Sequence, residues 1–199
     1  MKALLAAKKM NIGRFIYGST VYVYSPYGSM YRASKQAAET IIEAFSQQYN
    51  LDYTLLRYGS LYGPRAQSWN GLQNRVEKIV TEKKLTYYGT GMEEREYIHV
   101  KDAAKMSVKA LSDDYINQAI TLTGSQTINS KSLIEMIFEI ANIDQNFEIK
   151  DHGSKDNNHY IKTPYRYTPK QSKKISPIEF IDFGQGLLEV IEEAYKNKK

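Results

Sequence analysis

Residues 14–39 read Arg14-Phe-Ile-Tyr-Gly-Ser-Thr20-Val-Tyr-Val-Tyr24-Ser-Pro-Tyr-Gly-Ser-Met-Tyr31-Arg-Ala-Ser-Lys35-Gln-Ala-Ala-Glu39. The opening Arg14–Gly18 is a compact apolar run that suits a buried parallel strand. A connection rich in Tyr, Ser, Pro and Gly follows to about Ser29. Beyond it Ala33, Ala37, Ala38, Ile41, Ile42 and Phe45 recur at spacings of three and four. That period predicts an amphipathic helix over Tyr31–Tyr49, ended by Asn50. Tyr53–Tyr58 predicts a second strand, closed by Gly59, Gly63 and Pro64. Strand, long helix, strand is one βαβ unit, and such crossovers are right-handed almost without exception.

Outward from this unit the elements shorten. Residues 2–10 read as a helix with an Ala/Leu face and with Lys8 and Lys9 at its carboxyl end, where cations suit the helix dipole. Leu72–Lys83 reads as a helix, Leu85–Tyr88 as a strand, Gly89-Thr-Gly91 as a turn and Arg95–Val100 as a strand. Asp102 is expected to cap a helix over Ala103–Leu111. Ala119–Leu122 reads as a strand ending at Gly124, and Ser130 as the cap of a helix over Leu133–Ala141. Residues 150–176 are polar and irregular, and Ile178–Tyr195 predicts a closing helix interrupted near Gly184 and Gly186. There is no internal repeat and no coiled-coil heptad.

Composition narrows the function classes. Of 199 residues, 42% are hydrophobic and 25% charged, which is ordinary globular usage. Twelve Gly and five Pro fit neither a collagen-like nor a Pro/Gly-rich disordered chain. Zero Cys removes disulfide scaffolds, thiolate metal sites and cysteine nucleophiles. No apolar run approaches the ~20 residues of a membrane span. Ala3–Ala7 is shorter than the signal-peptide core of about 7–15 residues. A soluble, cytoplasmic protein is the expectation. The formal charge is +5, with a basic stretch between Lys150 and Lys174 and a tail of Lys196, Lys198 and Lys199. A solvated surface explains this better than nucleic-acid binding does. The 17 tyrosines cluster at Tyr22–Tyr31, Tyr58/Tyr62, Tyr87/Tyr88 and Tyr160–Tyr167.

Three histidines, His99, His152 and His159, form neither an HExxH nor an i,i+4 pair, so no metal is expected. There is no GxxxxGK[ST] and no GxGxxG, and the Gly89/Gly91 and Gly184/Gly186 pairs read as turns or helix breaks. The pattern with chemical content is Ser19, Thr20, Tyr31 and Lys35. Tyr31 and Lys35, four residues apart, share one helical face. A free phenol is a weak base at neutral pH, and a nearby cation makes it a better one. A hydroxyl at the strand end, such as Thr20, can hold a substrate alcohol beside it. Those parts suit proton removal from a carbinol as hydride leaves for a nicotinamide. The YxxxK spacing alone carries no weight, because chance predicts about two such pairs in a chain of this composition. Tyr97/Lys101 and Tyr195/Lys199 also match it. Only Tyr31/Lys35 opens a long helix after a strand ending in Ser-Thr.

Four segments occur in order: Phe15–Tyr24, Ser29–Glu39, Leu55–Arg65 and Tyr88–Asp102. Together they resemble the extended short-chain dehydrogenase/reductases, the NAD-dependent nucleotide-sugar epimerase/dehydratase group, from about residue 3 to about 140. The resemblance implies an α/β fold, a partial Rossmann sheet (doubly wound, parallel) over residues 1–65. A smaller α/β substrate-binding lobe would fill 66–199, with a strand near 119–123 returning to the first sheet. It implies that Tyr31 is the catalytic acid/base and that Lys35 holds the nicotinamide ribose and assists the phenol. Thr20 matches the active-site Ser/Thr, with Ser19 beside it, and Tyr58 matches a residue packed near the nicotinamide. Ser60 stands where many members carry a substrate-binding asparagine. Arg95 matches the arginine that grips the nucleotide diphosphate, work suited to a guanidinium fork. Tyr160–Tyr167 are expected to pack or to wall the pocket. Dehydratases of the group carry an Asp-Glu pair after the Thr. Here Val21 and Tyr22 stand there, which implies an epimerase: transient oxidation of a sugar carbon, commonly C4, with NAD regenerated.

Two departures bear on this. The family opens with a glycine-rich pyrophosphate loop and an acidic ribose ligand, and neither is in this sequence. Several βαβ units, about 100 residues, have no counterpart. Thr20 and Tyr31 are also only eleven residues apart, about half the family's connection, so part of the cover over the site is absent. Two readings therefore stand. One is an N-terminally truncated nucleotide-sugar epimerase, with a dehydratase or reductase of the same family as its variant. The other is a pseudoenzyme or dimerisation module unable to bind NAD alone. Either is expected to form a homodimer through helices 2–10 and 31–49, with a nucleotide-diphosphate sugar as the ligand and no nucleic-acid or membrane partner.

Overall fold

A computed structural model describes residues 1–151, 160–164, 173–176 and 179–197. The βαβ unit is built from β1 (Arg14–Thr20), α2 (Ser29–Tyr49) and β2 (Asp52–Tyr58), preceded by α1 (Lys2–Lys9). β1 and β2 are parallel, with Arg14 opposite Asp52 and Thr20 opposite Tyr58. β2 then pairs in parallel with β6 (Gln118–Leu122), and β6 with the two-residue β9 (Lys173–Lys174), giving the order β1-β2-β6-β9. The free side of β1 carries no strand among the described residues.

β2 is buried on both faces, and its alternating side chains join two cores. Leu55 meets Leu4, Ala7, Ile42 and Phe45 of α1 and α2. Leu56 meets Ile98, Met106 and Ile120 on the opposite face, where α4 (Val100–Lys109) packs. A further α/β body follows. α3 (Gly71–Glu82), α5 (Ser130–Ile140) and α6 (Phe183–Asn197) enclose the largest core, with Val76, Ile79, Ile134, Phe138 and Val190 all fully buried. It is edged by β4 (Leu85–Tyr88) paired with β8 (Phe147–Lys150), and by β3 (Ser60–Tyr62), β5 (Glu94–His99) and β7 (Thr127–Asn129) in a three-stranded sheet.

Several sequence expectations need correction. The helix expected to start after Asp102 starts at Val100, capped by His99, whose Nδ1 accepts from the Lys101 amide at 3.4 Å. Asp102 is instead in its first turn and accepts from the Ile181 amide at 2.8 Å, an anchor between distant segments that a cap reading misses. Ser130 is inside α5, and the cap is Asn129, bonded to the Ser132 amide at 2.8 Å. Gly184 and Gly186 lie within α6 and do not break it. The polar stretch after Lys150 contains β9 and a parallel bridge from Lys162 to Glu94. β3, β7 and β8 were not foreseen, being only three or four residues long. His152, Lys155, His159, Tyr165, Arg166, Tyr167, Lys170, Ile178, Lys198 and Lys199 lie outside the described residues.

Two positions give direct tests. An added Cβ on Gly124 would fall 1.9 Å from the Tyr97 carbonyl oxygen, backbone that cannot step aside. Gly124→Ala is expected to cost about 1–3 kcal/mol, read from the urea midpoint at unchanged m. His99 is buried beside Glu189, with Nε2 at 3.6 Å from its carboxylate. Burial holds its pKa below the ordinary 6.5, Lys101 and Lys105 adding to that and Glu189 and Asp102 opposing it. The unfolded chain therefore takes up this proton at higher pH than the folded one. The His99 contribution to stability is full above 6.5 and declines as pH falls below it. In His99→Asn, which can still cap, unfolding midpoints between about pH 7 and 5 are expected to vary less with pH than in the parent.

Candidate active site

Ser19, Thr20, Tyr31, Lys35 and Tyr58 line one cleft of 510 Å³, with Gly18, Gly59, Leu61, Trp69 and Asn70 among its other walls. It opens at the carboxyl ends of β1 and β2, where open parallel sheets bind ligands. Tyr31 is in the first turns of α2 and is 51% exposed. One turn on, the Lys35 ammonium donates to the Gly18 carbonyl at 2.8 Å and lies 5.9 Å from the centre of the Tyr31 ring. Thr20 ends β1, and its Oγ1 accepts from the Tyr22 amide at 3.3 Å, starting a short 3-10 turn. The start of α2 is equally constrained. Gly28 has φ 100°, and a Cβ there would meet the Tyr22 ring at 2.5 Å. Only glycine fits both demands.

Ser19 borders the cleft, but its hydroxyl points inward and donates to Glu39 at 2.5 Å. The Tyr58 hydroxyl shares a hydrogen bond with Ser107 at 2.6 Å, leaving its ring to the cleft. Behind these lies a fully buried network that the sequence reading missed. Arg57 grips Glu39 through Nε at 3.0 Å and Nη2 at 2.7 Å, and donates from Nη1 to the Tyr24 hydroxyl at 2.6 Å. Tyr24 in turn meets the Thr121 hydroxyl at 3.2 Å. Glu39, Arg57, Tyr24 and Thr121 are each at most 1% exposed, so every charge there is paired. The network ties α2, which carries Tyr31 and Lys35, to β1, β2 and β6.

Ser60 and Arg95 do not line this cleft. They meet instead around Tyr160, which is 4% exposed. The Arg95 guanidinium stacks 4.3 Å from the centre of the Tyr160 ring. The Tyr160 hydroxyl is 3.4 Å from that of Ser60. On its other side Tyr160 packs against Tyr22 at 4.7 Å between ring centres, and Tyr22 stands edge-on to Tyr31 at 6.0 Å. Aromatic rings thus separate the Tyr31 cleft from Arg95. Burial pushes the Tyr22 phenol far above its ordinary pKa, with Tyr160 and Tyr31 adding to the shift and Arg95 opposing it. Tyr22 therefore stays protonated and acts as a wall. A phenol, an ammonium and a strand-end hydroxyl around a cleft can move a proton to or from a bound alcohol. Among the described residues no His/Asp/Glu cluster could hold a metal ion.

The sequence profile of the NAD dependent epimerase/dehydratase family matches residues 1–121. The uncharacterized UDP-glucose epimerase YtcB of Bacillus subtilis is 22% identical over 157 residues, covering 70% of this chain and 48% of that protein. A dTDP-glucose 4,6-dehydratase of Actinoplanes sp. is 25% identical over 147 residues, covering 67% of this chain and 46% of its own length. Among solved structures, UDP-glucose 4-epimerase of Thermotoga maritima with UDP-glucose superposes with a TM-score of 0.80 at 21% identity, covering 98% of this chain and 68% of that one. That likeness shows a shared fold. The chain spans about half the length of these two curated relatives.

Proposed function

The chain belongs to the NAD-dependent epimerase/dehydratase family, and from that premise we propose that it carries the catalytic and substrate-binding part of a nucleotide-sugar epimerase, of the 4-epimerase type. The observation that carries this choice is at residues 21 and 22. A dehydratase needs an acid and a base beside the strand-end Thr. Here Val21 is 1% exposed and Tyr22 is a half-buried wall that keeps its proton. Epimerisation asks less of that position. It needs a single acid/base that removes a proton from a sugar hydroxyl and returns it. Tyr31 moves that proton at its phenolic oxygen, Thr20 orients the hydroxyl, and the Lys35 ammonium, 5.9 Å from the centre of the Tyr31 ring, sets a positive charge beside the reacting groups.

NAD supplies the hydride acceptor when it is bound. The residues present fit its nicotinamide end. Gly18 lets a ligand approach the backbone beside Lys35, and the rings of Tyr31 and Tyr58 face the same cleft. They do not supply the other end, since these 199 residues contain no glycine-rich pyrophosphate loop. A pseudoenzyme or dimerisation module unable to bind NAD alone is therefore the second reading. A role in sugar-nucleotide metabolism, feeding surface polysaccharide, goes with the first. Homodimerisation through α1 and α2 fits either, because Leu5, Met10, Ile41 and Tyr49 on or beside these helices are solvent-exposed. No described helix is long and apolar enough to cross a membrane, and a cytoplasmic setting accords with both readings.

Calorimetric titration with UDP-glucose and with NAD+ tests the reading, along with chromatographic detection of the epimer. The sole tryptophan, Trp69, is 82% exposed on the cleft wall, so its emission is expected to change when the cleft fills. Binding of UDP-glucose without any of NAD+ would leave the module reading in place. Failure to bind either ligand would refute the epimerase reading.

A further inference from the structure

Arg95 is held on three sides. Its Nη1 donates to the carbonyls of Glu94 at 2.9 Å and Ile161 at 3.2 Å, and one face of the guanidinium rests on Tyr160. The segment that supplies Tyr160 and Ile161 is itself fastened along β5. The Glu94 amide donates to the Ile161 carbonyl at 2.7 Å, the Glu96 amide to Thr163 Oγ1 at 3.0 Å, and Lys162 pairs with Glu94 at 3.1 Å. The Tyr160 ring is backed by Tyr22, and its hydroxyl reaches Ser60 on β3. Tyr160 is thus a fixed plate between two strands and the wall of the cleft. An arginine side chain free in water samples many rotamers and loses that freedom on binding an anion. Here the carbonyls set the plane of the guanidinium and the ring sets one face. Among the described residues, Nε and Nη2 have no protein partner, and that edge is the fork that matches a phosphate.

We propose that Tyr160 is the positioning residue for Arg95, holding its free edge ready for the diphosphate of a nucleotide ligand. This rests on the nucleotide-sugar reading above. Nothing in the sequence pattern around Tyr160 announces it, because its partner is 65 residues upstream. The ring, and not the hydroxyl, carries the role, since the guanidinium stacks on the π face.

The test titrates the full chain with UDP and with uridine, which differ only in the diphosphate. The parent is expected to prefer UDP, and Arg95→Ala to lose that preference. Tyr160→Ala is expected to weaken UDP binding about tenfold while leaving uridine unchanged, and Tyr160→Phe to behave as the parent does. The double variant with Arg95→Ala is expected to lose no more than the single ones, as groups acting in one unit do. Tyr160→Leu, which keeps packing volume but no π face, carries the test if Tyr160→Ala does not fold. Unchanged or tighter UDP binding in Tyr160→Ala or Tyr160→Leu would overturn the proposal, the ring then being neutral or a cover over Arg95. If Arg95→Ala alone weakens UDP binding, the functional reading survives that failure. If the parent itself does not distinguish UDP from uridine, the anion site at Arg95 is refuted, and Tyr160's role and the diphosphate contact of the functional reading go with it.

Discussion

Glu39→Ala is expected to lower the free energy of unfolding by about 3–5 kcal/mol, because it strands a buried guanidinium. Arg57 is 1% exposed, and its Nε and Nη2 both lose their partner when the carboxylate goes. The Ser19 hydroxyl loses its acceptor in the same step. Against a total of about 5–15 kcal/mol for a typical domain, such a loss is severe. Urea unfolding followed by circular dichroism measures it. The double change Glu39→Leu with Arg57→Met is expected to recover much of the loss, since the cost comes from an uncompensated charge and not from missing attraction. A loss below about 1 kcal/mol in the single variant would mean that water reaches the guanidinium and that the network is looser than the distances indicate.

Tyr31→Phe is expected to reduce epimer formation by about 10²–10⁴-fold, the usual worth of a positioned acid/base, with UDP-glucose affinity nearly unchanged. The side chain is exposed and its ring contacts are preserved in phenylalanine, so no comparable loss of stability accompanies it. Lys35→Met is the informative companion. Its ammonium also bonds the Gly18 carbonyl, so that variant mixes a local structural loss with a chemical one. Persistence of turnover in Tyr31→Phe would remove the phenol from the reaction and send the search to other groups on the cleft.

The βαβ unit was legible because its signals are local: an apolar run, a long 3.6-residue period, then a second apolar run. The grouping of Thr20, Tyr31 and Lys35 around one cleft follows from the same unit, since the strand end and the first turns of the helix meet wherever such a crossover closes. Asp102 was misread because Asp is a common cap, and its real partner, the Ile181 amide, is 79 residues away. The Glu39–Arg57 pair had a usable signal. Arg57 interrupts the apolar Leu55-Leu56 run of a strand buried on both faces, and a charge placed there needs an opposite charge. Glu39 is one turn beyond Lys35 on the inner side of the helix, within reach of that strand. Arg95 and Ser60 were assigned to the substrate by resemblance, which gives roles and not distances from Tyr31. The tyrosines between them decide the spacing, and they come from segments far apart in the chain.

Among the described residues no strand lies on the outer side of β1, and for the 199-residue chain this has a consequence in handling. Along Arg14–Thr20 alternate residues turn their backbone donors and acceptors to that side, with Ile16 36% exposed and no proline among the seven. Such an edge accepts a strand from any chain that arrives in register. Precipitation is therefore expected to scale with protein concentration more steeply than with temperature. Its first product would be sheet added to an intact fold, not an unfolded aggregate. A short peptide that caps β1 would then act as a solubilising agent.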